Sequence, residues 1–323
     1  MAAFESLKLA KTARTLVERW ARLRPEEDVC VVADTNKLKI AEAIAAACAA
    51  VGSETVICIM SPRPMPGMAP PGVVAAAMKV ANVVFAPITY SFGHTEAFHA
   101  AINAGARIFM MREVTEESFT RGAASADFDD IDRINKRLIA DLKDTKRIRM
   151  VSPLGSDLTM SVEGRPPVDL IARLRGGLTF PTGEVPFCPL EGTTNGVVVV
   201  DHAMGGVGRL TEPVRVGIKD GQIVKVEGGD DAKKFEKAIH GVENAANIAE
   251  FAIGTNPLSL MTGSVAEDKI LRGSVHVGIG TSIFLGGKVK SGLHLDLIVL
   301  EPTVWCDDRE VVTAGVLNPR YLD

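Results

Sequence analysis

Two of the six histidines in this 323-residue chain lie in neighbouring apolar stretches near the C-terminus, Ser274-Val275-His276-Val277-Gly278 and Leu293-His294-Leu295-Asp296-Leu297. On a strand, side chains two positions apart share a face, so His294 and Asp296 project together while Leu293, Leu295 and Leu297 turn the other way. The glycine-rich link 280–291 is short enough for the two stretches to pair, and pairing would bring His276 beside them. Two imidazoles and one carboxylate, with coordination positions left open, suit a non-haem Fe(II) that takes both a substrate and O₂. An H-x-D on a strand also serves as a plain hydrogen-bonded pair, and for that motif alone this alternative stands. Two further acids add weight to the metal reading. Glu184 sits in a loop stiffened by Pro181, Gly183 and Pro186, and Glu250 is enclosed by Ala249 and Phe251 in an apolar run. A carboxylate in such a setting is costly unless paired or bound to a metal; each also fits a structural ion pair.

The elements that must hold these residues follow from hydrophobic patterning. Val29–Asp34, Thr55–Met60, Val83–Pro87 and Arg107–Met111 are short apolar runs without alternation, separated by helix-like stretches, which is the pattern of a parallel sheet covered on both faces. Ile148–Val151 reads as a fifth strand after a charged helix over 129–146. Beyond residue 152 the texture changes to short strands with turn signals, including a hairpin over 214–226 turning at Asp220-Gly221. The expected fold class is therefore α/β. A Rossmann-like parallel-sheet domain spans 1–150, and an α+β domain with a bent or barrel-like sheet spans 151–323 and carries the metal-binding residues. Ligands of doubly wound sheets collect beyond the carboxyl ends of the strands, here Asp34-Thr35-Asn36 and the segment 88–95. Neither contains a phosphate-binding glycine motif, and Asp34 and Thr95 also suit helix capping.

Composition narrows the function further. Apolar residues make up 46% of the chain and the net charge is −4, which excludes disorder as the dominant state and leaves no positive field to gather nucleic acid. The five cysteines form no C-x-x-C pair, as expected of reduced thiols in a cytoplasmic protein. Neither a secretory leader nor a run of about 20 apolar residues is evident, so no membrane association is expected.

Phe180-Pro181-Thr182-Gly183-Glu184-Val185, Ala249-Glu250-Phe251-Ala252-Ile253-Gly254, Glu267-Asp268-Lys269-Ile270 leading to His276, and Leu293-His294-Leu295-Asp296 occur in that order. Together they resemble the metal-binding segments of the aminopeptidase T (aminopeptidase S) family of metallopeptidases. They also resemble its shorter relatives, among which is the Fe(II)-dependent 2,5-dihydroxypyridine 5,6-dioxygenase. Gly93-His94-Thr95 and Ala104-Gly105-Ala106-Arg107-Ile108 extend the resemblance into the N-terminal half. The dioxygenase pattern implies Fe(II) on His276, His294 and Asp296, with His94 as the acid/base group at a ring hydroxyl. Glu184 and Glu250 then contact substrate or support the ligands, and Thr182 and His202 are candidate pocket residues, His202 fitting a structural role as well. The substrate class is a dihydroxylated N-heterocycle consumed with O₂. The peptidase pattern implies instead two Zn²⁺ or Co²⁺ ions held by Glu184, Glu250, His276, His294 and Asp296. It also has a tyrosine seven residues after the first histidine, where this chain has Ile283. The resemblance further implies a homo-oligomer, a dimer or higher.

Overall fold

The computed structural model describes residues 2–65, 67–93, 95–170 and 178–322. The chain divides into two compact units, Met1–Phe128 with Leu170–Thr182 and Asp129–Asp169 with Gly183–Asp323. In chain order the strands begin with β1 (Val29–Asp34), β2 (Thr55–Met60), β3 (Val83–Ile88), β4 (Arg107–Arg112), β5 (Arg147–Val151), β6 (Asp157–Ser161) and β7 (Leu178–Thr179). There follow β8 (Glu184–Phe187), β9 (Asn195–Val200), β10 (Ala203–Met204), β11 (Gly208–Arg209), β12 (Val214–Lys219) and β13 (Gln222–Glu227). The last are β14 (Ile248–Gly254), β15 (Val275–Gly280), β16 (His294–Val299), β17 (Thr303–Cys306), β18 (Arg309–Thr313) and β19 (Val316–Leu317).

The first unit is a parallel sheet in the order β2-β1-β3-β4-β7. Apolar strands such as β3, buried along its whole length, require cover on both faces. One layer of that cover packs Val74 and Met78 of the helix Gly72–Val80 with Ala101 of the helix Glu96–Asn103 against Val84, Ile88, Ile108 and Met110. Thr95 caps the latter helix, accepting from Phe98 N–H at 3.3 Å. Asp34 caps nothing. Its carboxylate spans the ends of β1 and β3, accepting from Asn36 N–H at 3.0 Å and Thr89 Oγ1–H at 3.2 Å.

The second unit contains two antiparallel sheets. One has six strands in the order β11-β10-β16-β15-β14-β8, the other eight in the order β13-β12-β9-β6-β5-β17-β18-β19. One apolar core unites Phe251, Ile253, Val275, Val277, Leu297 and Val299 of the first with Ile148, Met160, Val198, Val216 and Val304 of the second. The hairpin β12–β13 turns through Asp220 and Gly221, both at positive φ (50° and 72°), the conformation that a two-residue hairpin loop demands.

Two expectations change. Ile148–Val151 is not a fifth parallel strand: β5 pairs antiparallel with β6 and β17. Its Ile148 and Met150 enter the core while Arg147 and Arg149 face solvent, an alternation proper to an antiparallel strand with one wet face. The fifth parallel position belongs to β7, which pairs with β4. The division also does not fall at one point near 150. The helix Phe128–Leu142 sends Ile134, Leu138 and Leu142 into the core of the second unit, and 170–182 return to the first.

Candidate metal centre

The centre is built on the face of the six-stranded sheet that turns away from the apolar core. Register places Glu184 of β8 opposite Gly254 of β14, and Ala252 opposite both Pro186 and His276. Gly278 of β15 lies opposite Glu250 on one side and Asp296 on the other, and Gly280 opposite His294. Glu184, Glu250, His276, His294 and Asp296 thus share a face. The positions between them are Ala252, Gly254, Gly278 and Gly280. Gly278 makes the convergence possible, because a Cβ there would come within 2.7 Å of Glu250 Cβ and 2.9 Å of His294 Nε2. Asn135 fixes the entry of β8 by donating to the Glu184 carbonyl at 3.1 Å while accepting from Thr255 Oγ1–H at 2.6 Å.

Both imidazoles are held by main chain. His276 Nδ1 donates to the Lys269 carbonyl at 3.1 Å and His294 Nδ1 to the Thr281 carbonyl at 3.0 Å. Each bond leaves the opposite nitrogen, Nε2, aimed at the carboxylates. That outer-shell arrangement is what a metal-binding histidine uses to fix its tautomer. His294 Nε2 lies 2.8 Å from Glu250 Oε2 and 3.3 Å from Asp296 Oδ1. His276 Nε2 lies 3.4 Å from Glu184 Oε2 and 3.5 Å from Glu250 Oε1 and makes no hydrogen bond, although the residue is fully buried. The Phe284 ring stands edge-on to His294, centroids 4.8 Å apart. Ile283, at the position where the peptidase pattern has tyrosine, is 52% exposed.

Electrostatics follow from this crowding. Burial raises the Glu250 carboxyl, but His276 and His294 outweigh it and hold the group below its usual range. Burial likewise raises Asp296, while Lys269 and His294 bring it well below. Burial lowers His294, yet Asp296 and Glu250 push it up to about 10. Burial and Lys269 lower His276, and Glu250, Glu184 and Asp296 carry it above its ordinary value. A divalent cation would meet preformed anions and imidazole lone pairs here, replacing protons that the metal-free site takes up. The donor set therefore fits a metal. Among the described residues the ligand atoms form two groups, Glu184–Glu250–His276 and Glu250–His294–Asp296, each within 4.8 Å and joined through Glu250.

The model of the 2,5-dihydroxypyridine 5,6-dioxygenase family (NicX) matches residues 10–319. This chain belongs to that family. Membership in the 2,5-dihydroxypyridine 5,6-dioxygenase family makes the protein an enzyme of a metal-dependent dioxygenase class that consumes a small molecule and O₂. No curated protein matches it. Among solved structures, the chain is similar to 2,5-dihydroxypyridine dioxygenase from Pseudomonas putida KT2440, with a TM-score of 0.81 and 18% identity over 98% of this chain and 99% of that one. It is also similar to AmpT from Thermus thermophilus, with a TM-score of 0.71 and 15% identity over 96% and 98% of the two chains. At such identities the likeness is one of fold.

Within this member of the dioxygenase family, His294 and Asp296 share a face and the strand of His276 pairs with theirs, as the spacing predicts. His276 groups with Glu184 and Glu250, while Glu250 adjoins both imidazoles. His202 Nε2 stands 3.0 Å from Asp268 Oδ2, and the Asp268 carboxylate accepts from the Thr262 and Gly263 N–H groups at 2.9 and 2.7 Å. Thr182 is buried in the first unit. His94 lies outside the described residues. Sequence reasoning gave no role to Lys269, whose ammonium stands 3.1 Å from Glu184 Oε2 and 3.4 Å from Asp296 Oδ2.

Proposed function

We propose that the protein is a ring-opening dioxygenase for a dihydroxylated N-heterocycle such as 2,5-dihydroxypyridine, working with one Fe(II). The observation that carries this reading is the pair of imidazoles tethered at Nδ1, with both Nε2 atoms converging on Glu250 beside Asp296. His276, His294 and Asp296 would hold the ion, and Glu250, which adjoins both imidazoles, would support them. When bound, Fe(II) supplies the redox chemistry with O₂ and a Lewis-acidic anchor for the ring oxygens. The remaining work falls to the chain. His94 accepts the ring hydroxyl proton, the general-base role that histidine fills most often. The Lys269 and Thr281 carbonyls keep the ligating imidazoles in one tautomer, and the buried sheet face excludes water that would compete for the open positions. We place this enzyme in the cytoplasm as a homo-oligomer. Among the described residues no helix is long and apolar enough to cross a membrane.

A second reading, hydrolysis at two Zn²⁺ or Co²⁺ ions, has one observation of its own: the ligand atoms fall into two groups bridged by Glu250. Oxygen uptake by anaerobically Fe(II)-loaded protein offered 2,5-dihydroxypyridine separates the two. Stoichiometric O₂ consumption with loss of ring absorbance, absent in His294→Ala, is expected. Hydrolysis of amino-acyl amides by Zn²⁺- or Co²⁺-loaded protein, without O₂ uptake on any ring, would transfer the assignment to the second reading. His94→Ala should keep its metal and lose turnover.

A further inference from the structure

Lys269 is only 9% exposed, and it acts on the centre through two separate atoms. Its carbonyl accepts from His276 Nδ1. Its ammonium lies between Glu184, at 3.1 and 3.2 Å from the two carboxylate oxygens, and Asp296, at 3.4 Å. The ammonium therefore touches both ligand groups, while Glu250 bridges them. It sits where a cation is needed to balance Glu184, the carboxylate that the single-ion reading leaves unused.

We propose that the Lys269 ammonium is a built-in substitute for a second metal ion, and that it keeps a five-ligand cluster at one divalent ion per chain. The inference rests on reading the cluster as a metal centre. Three carboxylates against one ammonium leave a charge of −2, which one divalent ion neutralises; without the ammonium the charge is −3 and one ion no longer suffices. A second ion on Glu184 and His276 would also have to approach a fixed positive charge already in contact with that carboxylate, in a buried setting where like charges repel strongly. Lys269 is thus a specificity residue acting on metal number, not a catalytic one. A neutral side chain at 269 removes the charge and leaves the carbonyl tether of His276 in place.

The test is metal stoichiometry of the full-length chain, loaded anaerobically with Fe(II) or Mn(II), desalted and measured by elemental analysis, so that no turnover is needed. Wild type should retain one ion and K269M two. K269R, which keeps the charge, should stay at one, and K269M/E184Q should fall back to one because the second ion loses its carboxylate. Loaded with Mn(II), K269M should show the exchange-coupled paramagnetic resonance spectrum of a bridged pair, whereas wild type shows that of an isolated ion. If Met at 269 prevents folding, K269Q carries the same expectation. A folded K269M or K269Q that stays at one ion overturns the proposal, as does a wild type that already holds two. A wild type that retains none overturns the metal reading and this inference with it.

Discussion

Strand β3 of the first unit and strand β15 of the second are each six residues long and shielded on both faces, yet they enclose different chemistry. β3 places Val84, Ala86 and Ile88 on one face and Val83, Phe85 and Pro87 on the other, all apolar. β15 does this only on the side of Val275, Val277 and Ile279. Its other side carries His276, Gly278 and Gly280, among the carboxylates of β8, β14 and β16. Both read from sequence as continuous apolar runs. Burial alone therefore says nothing about polarity; the difference lies in what stands at every second position. Large apolar side chains fill a face, whereas glycines hold it open for ionisable neighbours.

The strongest way to break this contrast is to fill the open face. Gly278→Val should abolish metal binding, weakening it by more than about 100-fold, because the new side chain meets Glu250 and His294; elemental analysis and circular dichroism would separate this from unfolding. The converse change in β3 empties a filled face. Phe85 stacks on Phe109 with centroids 5.2 Å apart, and Phe85→Ala should cost about 3–5 kcal/mol in denaturant unfolding with metal stoichiometry unchanged.

The polar face should also make the metal-free protein respond to pH. His294 rises from an ordinary 6.5 to about 10 in the folded state, so its contribution to stability is complete below pH 6.5 and is lost as pH climbs through about 10. Glu250 and Asp296 are shifted down; their contribution is present above their unfolded values and lost on acidification. Thermal melts of the metal-free protein should therefore fall from pH 6.5 to 10, and His294→Ala should flatten that slope. The smallest expected effect concerns the one carboxylate of β1. Asp34→Ala removes acceptors for Asn36 and Thr89 and should cost about 1–3 kcal/mol, leaving metal content unaltered. Metal loss there would weaken the contrast between the two sheets.

What could be read in advance follows the same division. His294 and Asp296 were legible because polar and apolar residues alternate strictly over 293–297, and the short glycine-rich link announced the pairing of β15 with β16. Glu250 was legible as an acid in an apolar run, but its direction was not. The ladder shifts between Ile248 and Glu250, so that Ile248, Phe251 and Ile253 all join the core despite a spacing that no regular strand would give. Lys269 was hidden for another reason: in Glu267-Asp268-Lys269 it looks like solvated charge, and only the packing of a short helix, Val265–Asp268, against the sheet turns it inward. Likewise β7 is too short to announce itself. The alternation Arg147-Ile148-Arg149-Met150 does mark a half-exposed antiparallel strand, a local signal overridden by the strand–helix rhythm preceding it.

The passage of the chain between its units, at 128/129, 169/170 and 182/183, bears on how the protein is made. The first unit lacks its edge strand β7 until residues near 180 have left the ribosome, by which time β5 and β6 of the second have already been synthesised. Neither unit corresponds to a single uninterrupted stretch of chain, so a stop codon near residue 150 leaves a product in which neither unit is whole, and a protease cut there yields two incomplete pieces rather than two domains. Each unit is complete only when one intact chain supplies both of its segments.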